Sequence, residues 1–184
     1  MFAAIDAAQQ YLLLEMYLIE SGAVADHLIK ALLGAAERGV QGYLLLDDYG
    51  ARQLGPNDRA QLVHRNIHIV YYNPLTSHST LYNLYRIVWQ RIYHGLYRNH
   101  RKLLLVDGKT AFTGGAGIID AVDSPGEPGL RWRETMIEIQ GPILGDWQQL
   151  FTESWNRYAR QALTLPTVTP VALPNGQAGR VTVN

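Results

Sequence analysis

The sequence predicts an α/β layered domain in which helices flank a mixed β-sheet. Two apolar runs of strand length, residues 11–19 (YLLLEMYLI) and 42–48 (GYLLLDD), stand on either side of a helical pattern at residues 24–38. Together they define a β-α-β unit. A third run, residues 67–72 (IHIVYY), continues the parallel part of the sheet. Residues 101–107 and 110–113, joined around Gly108-Lys109, read as a hairpin, so the sheet must also contain antiparallel strands.

Residues 3–10 suit a short helix ahead of the first strand. Glu15 sits in the middle of that apolar strand and needs a buried partner, which an arginine or lysine near the site can supply. The helix of residues 24–38 stops at Gly39. Asn57 can cap a helix running to about Arg65, and Asn73-Pro74 ends the third strand. Over residues 81–96 a helix is expected, with Tyr82, Tyr85, Trp89 and Tyr93 on one face. Such a stripe is either core or a membrane-interface surface. Residues 120–130, with Pro125, Gly126, Pro128 and Gly129, read as a loop. Residues 135–140 (TMIEIQ) alternate as a further strand, and residues 143–158 close the domain with a helix.

The chain has 184 residues, 47% of them hydrophobic, enough for one domain with a substantial core over residues 1–163. From residue 164 its character changes: Pro166, Pro170 and Pro174 are spaced through a small polar segment that reads as a linker or tail. Residues 180–184 (RVTVN) alternate like a strand just beginning. That pattern fits an ordinary disordered terminus, or a linker leading into a further domain.

There are no cysteines, which excludes disulfides, thiolate metal sites and a cysteine nucleophile. No apolar run is long enough to span a bilayer, and the first residues lack the order of a secretory signal. A cytoplasmic location, or one peripheral to the cytoplasmic membrane, is expected. The formal net charge is zero, which argues against a general nucleic-acid binder. Yet no acidic residue lies between Asp58 and Asp107, while Arg59, Arg65, Arg86, Arg91, Arg98, Arg101 and Lys102 do. Either that interval builds a cationic face for an anionic ligand, or its acidic partners come from elsewhere in the fold.

The chemistry concentrates in one segment. His100, Lys102 and Asp107, followed by Thr113-Gly114-Gly115, fit the pattern H-x-K-x4-D-x6-G-G, which this composition yields by chance in roughly one chain in ten thousand or fewer. Lysine is scarce, with three against thirteen arginines, which favours a point-charge role for Lys102. On a strand, His100 and Lys102 project together and Arg101 projects opposite, so a nucleophile and a phosphate-binding cation become neighbours. A hairpin turning on Asp107-Gly108 sets His100 across from Gly115, and one turning on Gly108-Lys109 sets it across from Gly117. Either glycine leaves room for a phosphoryl group, whose oxygens the glycine-rich backbone could bind. The bland reading is that the glycines serve a tight bend and His100 is a hydrogen-bonded core residue. Asp107, of opposite strand parity and directly before Gly108, is expected to hold the turn or a neighbouring cation more than to act on substrate. A catalytic histidine needs a carboxylate to fix its tautomer, and Glu134 is the candidate; otherwise it is a strand-end surface charge.

These residues resemble the phospholipase D superfamily, the HKD proteins, and among them the cardiolipin synthase-like branch. The supporting stretches are LLLEMYLI, GVQGYLLLDDYG, RNHRKLLLVDGKTAFTGGAGI, WRETMIEIQGP and LFTESW. The resemblance implies a phospholipase D-like fold and a phosphodiester-transferring site acting on a phospholipid at a membrane surface. It implies a phosphohistidine formed on His100 or on a counterpart, with Lys102 binding phosphoryl oxygens and Glu134 orienting the histidine. Asp107 joins the catalytic set as part of the motif, and Thr113, Gly114, Gly115 and Gly117 become the substrate-binding set. No metal and no cofactor is implied. Gly117 stands where family members often carry asparagine. The family's site needs two such motifs and this chain has one, because His27, His64, His68, His78 and His94 lack H-x-K. A second half, in the same chain or from a second copy, is therefore the expected partner. The alternatives are a dimeric phosphodiesterase or nuclease, and a non-catalytic binding module.

Overall fold

The computed structural model describes residues 1–74, 98–123, 134–168 and 171–182. Six strands form one mixed sheet: β1 (Tyr11–Met16), β2 (Gln41–Asp47), β3 (Ile67–Tyr72), β4 (Lys102–Val106), β5 (Thr110–Gly114) and β6 (Met136–Ile139). Their spatial order is β3-β2-β1-β4-β5-β6. β1 pairs with β2 and β2 with β3 in parallel, whereas β4, β5 and β6 join by antiparallel ladders. This is the mixed sheet that the sequence predicts.

Strand alternation divides the core in two. Leu12, Leu14, Leu44, Leu46 and Leu104 project toward α1 (Phe2–Asp6) and α2 (Ala23–Glu37). Leu13, Leu45, Leu103, Leu105 and Ala111 project to the other side, against Phe151 and Trp155 of the closing helix (Leu144–Tyr158). Each fully buried leucine is worth about 1.5–3 kcal/mol over its exposed state. Two short helices, α3 (Pro56–Gln61) and α4 (Asp120–Asp123), complete the described set, so the closing helix is α5.

Differences from the expected boundaries have local causes. β1 ends at Met16 and not at Ile19, because Ile19 turns away to donate to the Gly50 carbonyl and to bridge Ile118. Gly55 is the N-cap of α3, with Pro56 as its first residue, so Asn57 lies inside the helix and not at its cap. Residues 120–123, expected as loop, form α4, and the Asp120 carboxylate at its start accepts the backbone N–H groups of Ala23 (3.0 Å) and Val24 (2.9 Å), capping α2. The tyrosine and tryptophan stripe of residues 81–96 and the proline-glycine loop after residue 123 lie outside the described residues. Beyond α5, Leu163, Leu165 and Val168 pack against the second core, while Gln148 Nε2 donates to the Pro166 carbonyl (2.9 Å). Residues 180–182 add no strand.

The hairpin between β4 and β5 takes neither expected register. Asp107 (φ +52°) and Gly108 (φ +64°) are both left-handed, the Lys109 N–H donates to the Val106 carbonyl, and Val106 pairs with Thr110. Lys109 is one extra residue in the turn. The register therefore falls between the two alternatives and, extended past the strand end, aligns His100 with Ala116 and not with a glycine.

Candidate active site

The carboxyl ends of β1, β2, β3 and β5 and the amino ends of β4 and β6 lie at one edge of the sheet, where open α/β sheets place their ligands. His100 lies there, exposed, two residues before β4 begins. Its imidazole stacks on the Tyr17 ring, with centroids 4.0 Å apart and planes inclined by 18°. Lys102 opens β4; its Nζ donates to the His100 carbonyl (2.9 Å) and lies 5.4 Å from the centre of the Tyr17 ring. Burial lowers the pKa of the Lys102 ammonium, and the nearby Glu134 carboxylate draws it back up. His100, Lys102, Tyr17 and Glu134 thus form one group.

Glycines set how closely this group assembles. A Cβ on Gly115 would collide with the Glu134 carboxylate, reaching 2.8 Å from Cδ. A Cβ on Gly50, in the turn after β2, would collide with the Tyr17 backbone and lie 3.3 Å from its ring carbon Cδ2. One glycine seats Glu134 and the other seats Tyr17.

The segment carrying His100 is pinned on both sides to buried carboxylates. Arg101 Nη2 lies 2.8 Å from Glu15 Oε1, with Nε donating to the same oxygen (3.1 Å), and Asn99 Nδ2 also donates to it. Burial pushes the Glu15 carboxyl up in pKa by more than Arg101 and Asn99 draw it down. Upstream, Asp47 accepts the Asn99 N–H (3.3 Å) and stands 3.7 Å from Arg98 Nη1. Glu15 and Asp47 thus supply the acidic partners that the acid-free interval lacks, and Arg98 and Arg101 are neutralised within the fold. The expectation of a broad cationic face does not hold for these two. Arg86 and Arg91 lie outside the described residues.

The remaining candidates lie as follows. Asp107 is at the opposite end of β4 from Lys102, and its carboxylate accepts the N–H groups of Gln9 (2.9 Å), Gln10 (2.8 Å) and Tyr11 (2.9 Å). The structure therefore separates it from His100 and joins the hairpin turn to the start of β1. Thr113 donates its hydroxyl to the Lys102 carbonyl (2.8 Å) and pairs with Leu103, on the face away from Lys102. Gly114 makes room for the Thr135 carbonyl and Met136, and Gly117 packs against Leu18. The Gly115 N–H donates to the Thr135 carbonyl (3.0 Å), so it is not open to a phosphate. Among the described residues the N–H groups of Ala116 and Gly117 take no such partner.

Sequence reasoning missed Tyr17, Asn99 and Asp47. Tyr17 was hidden inside an apolar run that looks like continuous strand. The usable signal was position: the first residue past the carboxyl end of a central parallel strand faces the site.

Fold and site geometry together are of the phospholipase D-like class. The family model described as the cardiolipin synthase, PLD-like domain matches residues 1–155. The chain belongs to that family, one of phosphodiester-cleaving and -transferring domains. It is 31% identical over 175 residues to cardiolipin synthase A of Pseudomonas putida, a match covering 95% of this chain and 34% of that protein. The chain thus spans about a third of the length of that curated relative. Among solved structures, a phospholipase D family member, Nuc from Salmonella typhimurium, superposes with a TM-score of 0.55 at 18% identity, covering 86% of each chain. NucT from Helicobacter pylori superposes with a TM-score of 0.59 at 11% identity, covering 85% of this chain and 86% of that one. Both likenesses are of fold.

Proposed function

We propose that this chain supplies one half of a phosphatidyl-transferring site that acts on phospholipid through a phosphohistidine, and that it is incomplete alone. The observation that carries this reading is the grouping of His100, Lys102 and Glu134 at one sheet edge, with His100 stacked on Tyr17. Lys102 binds the non-bridging phosphoryl oxygens, a charge-assisted contact worth roughly 1.5–3 kcal/mol and more where charge develops. A histidine nitrogen attacks phosphorus; the P–N bond forms, the P–O bond to the leaving alcohol breaks, and a partner histidine gives the alcohol its proton. An acceptor hydroxyl then attacks phosphorus, surrenders its proton to that partner, and releases the nucleophile. Glu134 holds the histidine's other nitrogen protonated and steadies the cation that forms.

The partner histidine must come from a second H-x-K motif, in a second half of a longer chain or in a second copy of this one. Without it, loss of the acid or base costs on the order of a hundred- to ten-thousand-fold. The site reading also requires the protein to meet a membrane surface; among the described residues no helix is long and apolar enough to cross one. A nuclease reading rested on the acid-free basic interval and is weakened by the pairing of Arg98 with Asp47 and Arg101 with Glu15.

Phosphatidylglycerol labelled at phosphorus tests the mechanism. In paired copies of this chain, a reaction quenched in alkaline denaturant should leave a label on His100 that later acid treatment removes and that is absent in His100→Ala. Turnover without any histidine adduct would overturn the covalent route, and absence of both turnover and label would favour a non-catalytic binding module.

A further inference from the structure

All three methionines of the chain, Met1, Met16 and Met136, line one cavity of about 690 Å3. Phe2, Val24, Phe112, Ile118 and Ile119 add apolar wall; among the described lining residues His27 and Glu138 are the titratable ones, and none is a lysine or arginine. The His27 ring is stacked on Phe2 at 4.0 Å.

Register places this cavity beside the site. Met16 pairs with Lys102, Met136 with Gly114, and Phe112 with Leu104. Residues opposite one another in a ladder share a face, and so do residues two apart. Lys102, Met16, Phe112 and Met136 therefore project from the same face of the sheet. The cavity begins next to the lysine and runs between α2 and strands β5 and β6, bounded at the site by Ala116 and Gly117. Its described lining suits an apolar group better than a phosphate, since it holds no lysine or arginine. Unbranched thioether side chains conform to a flexible apolar ligand, and the volume is that of a small-ligand pocket.

We propose that this cavity takes an acyl chain of the phospholipid whose phosphate is held at Lys102 and His100. The proposal rests on the phosphatidyl-transfer reading and adds where the lipid's tail goes. Phosphate and tail then lie on one sheet face, a ladder step apart at the glycine turn.

Methyl-labelled methionine gives three reporters on the cavity, and the His100 imidazole resonance reports on the site. Two probes separate the parts: dihexanoyl-phosphatidylglycerol below its micelle concentration, and glycerophosphoglycerol, the same headgroup without tails. The lipid should shift Met16, Met136 and His100, and the tail-less probe His100 alone. Filling the cavity with Ile119→Trp should weaken the lipid about tenfold and leave glycerophosphoglycerol unchanged. A lipid that moves His100 but no methionine overturns the cavity assignment and leaves the site reading standing. Probes that leave His100 unmoved overturn the site reading, and with it the link to the cavity. Methionine shifts that follow protein concentration without lipid would make this face an interface between copies and overturn the proposal.

Discussion

Arg101 and Glu15 meet at 2.8 Å across the β1–β4 edge, one residue from His100. The approach to the site is thus fixed by a charge that the apolar pattern of β1 would not ordinarily admit. Removing the acid leaves Arg101 and Asn99 without their shared acceptor, so Glu15→Ala should cost about 3 kcal/mol in chemical denaturation. Burial disfavours the charged form of Glu15. The neutral isostere Glu15→Gln should therefore cost less, about 1 kcal/mol. Equal losses for the two variants would contradict this account of the network.

Gly115 tests how Glu134 is seated. A Cβ there meets the carboxylate end of a side chain that can swing aside, so Gly115→Ala should fold with less than about 1 kcal/mol lost. Glu134 would move off Lys102, and phosphotransfer should fall about ten- to a hundredfold. A wild-type rate with a displaced Glu134 would remove that residue from the mechanism.

Lys102 carries a pH prediction. Its pKa lies below the usual lysine value of 10.5, chiefly from burial, with Glu134 opposing. Phosphate binding needs the ammonium, so affinity for glycerophosphoglycerol should be full at neutral pH and should fall in alkali before 10.5 is reached. Removing the opposing charge with Glu134→Gln should bring that fall to lower pH. A limb that stays where it is in this variant would place Glu134 away from Lys102.

Asp107 separates stability from chemistry. Its carboxylate accepts three backbone N–H groups at the far end of β4. Asp107→Ala should cost about 2–3 kcal/mol on thermal or chemical unfolding, and Asp107→Asn less, since asparagine tolerates the left-handed backbone. Headgroup affinity per folded molecule should survive both. A specific loss of affinity without loss of stability would return Asp107 to the site.

Much of this was legible beforehand, for identifiable reasons. The strands of the parallel half announce themselves because both faces are buried, so Leu12, Leu13 and Leu14 read as a continuous run. Lys102 was placed on its face by strand parity, and Glu15 by the cost of an unpaired buried acid. The turn was misread because Asp107 joins Gly108 in the left-handed region and makes Lys109 an extra residue, a shift of register that residue pattern alone does not reveal. The glycines were taken for phosphate space, whereas Gly114, Gly115 and Gly117 seat β6, Glu134 and Leu18. Those are tertiary approaches with no trace in local sequence.

The most direct test is the turnover of phosphatidylglycerol per molecule, followed against protein concentration with the oligomeric state read by light scattering. A half-site predicts almost no turnover from the monomer, rising when copies pair or when a second H-x-K-x4-D half is supplied, and abolished throughout by His100→Ala. Full turnover per molecule by a monomer, independent of concentration, would contradict it.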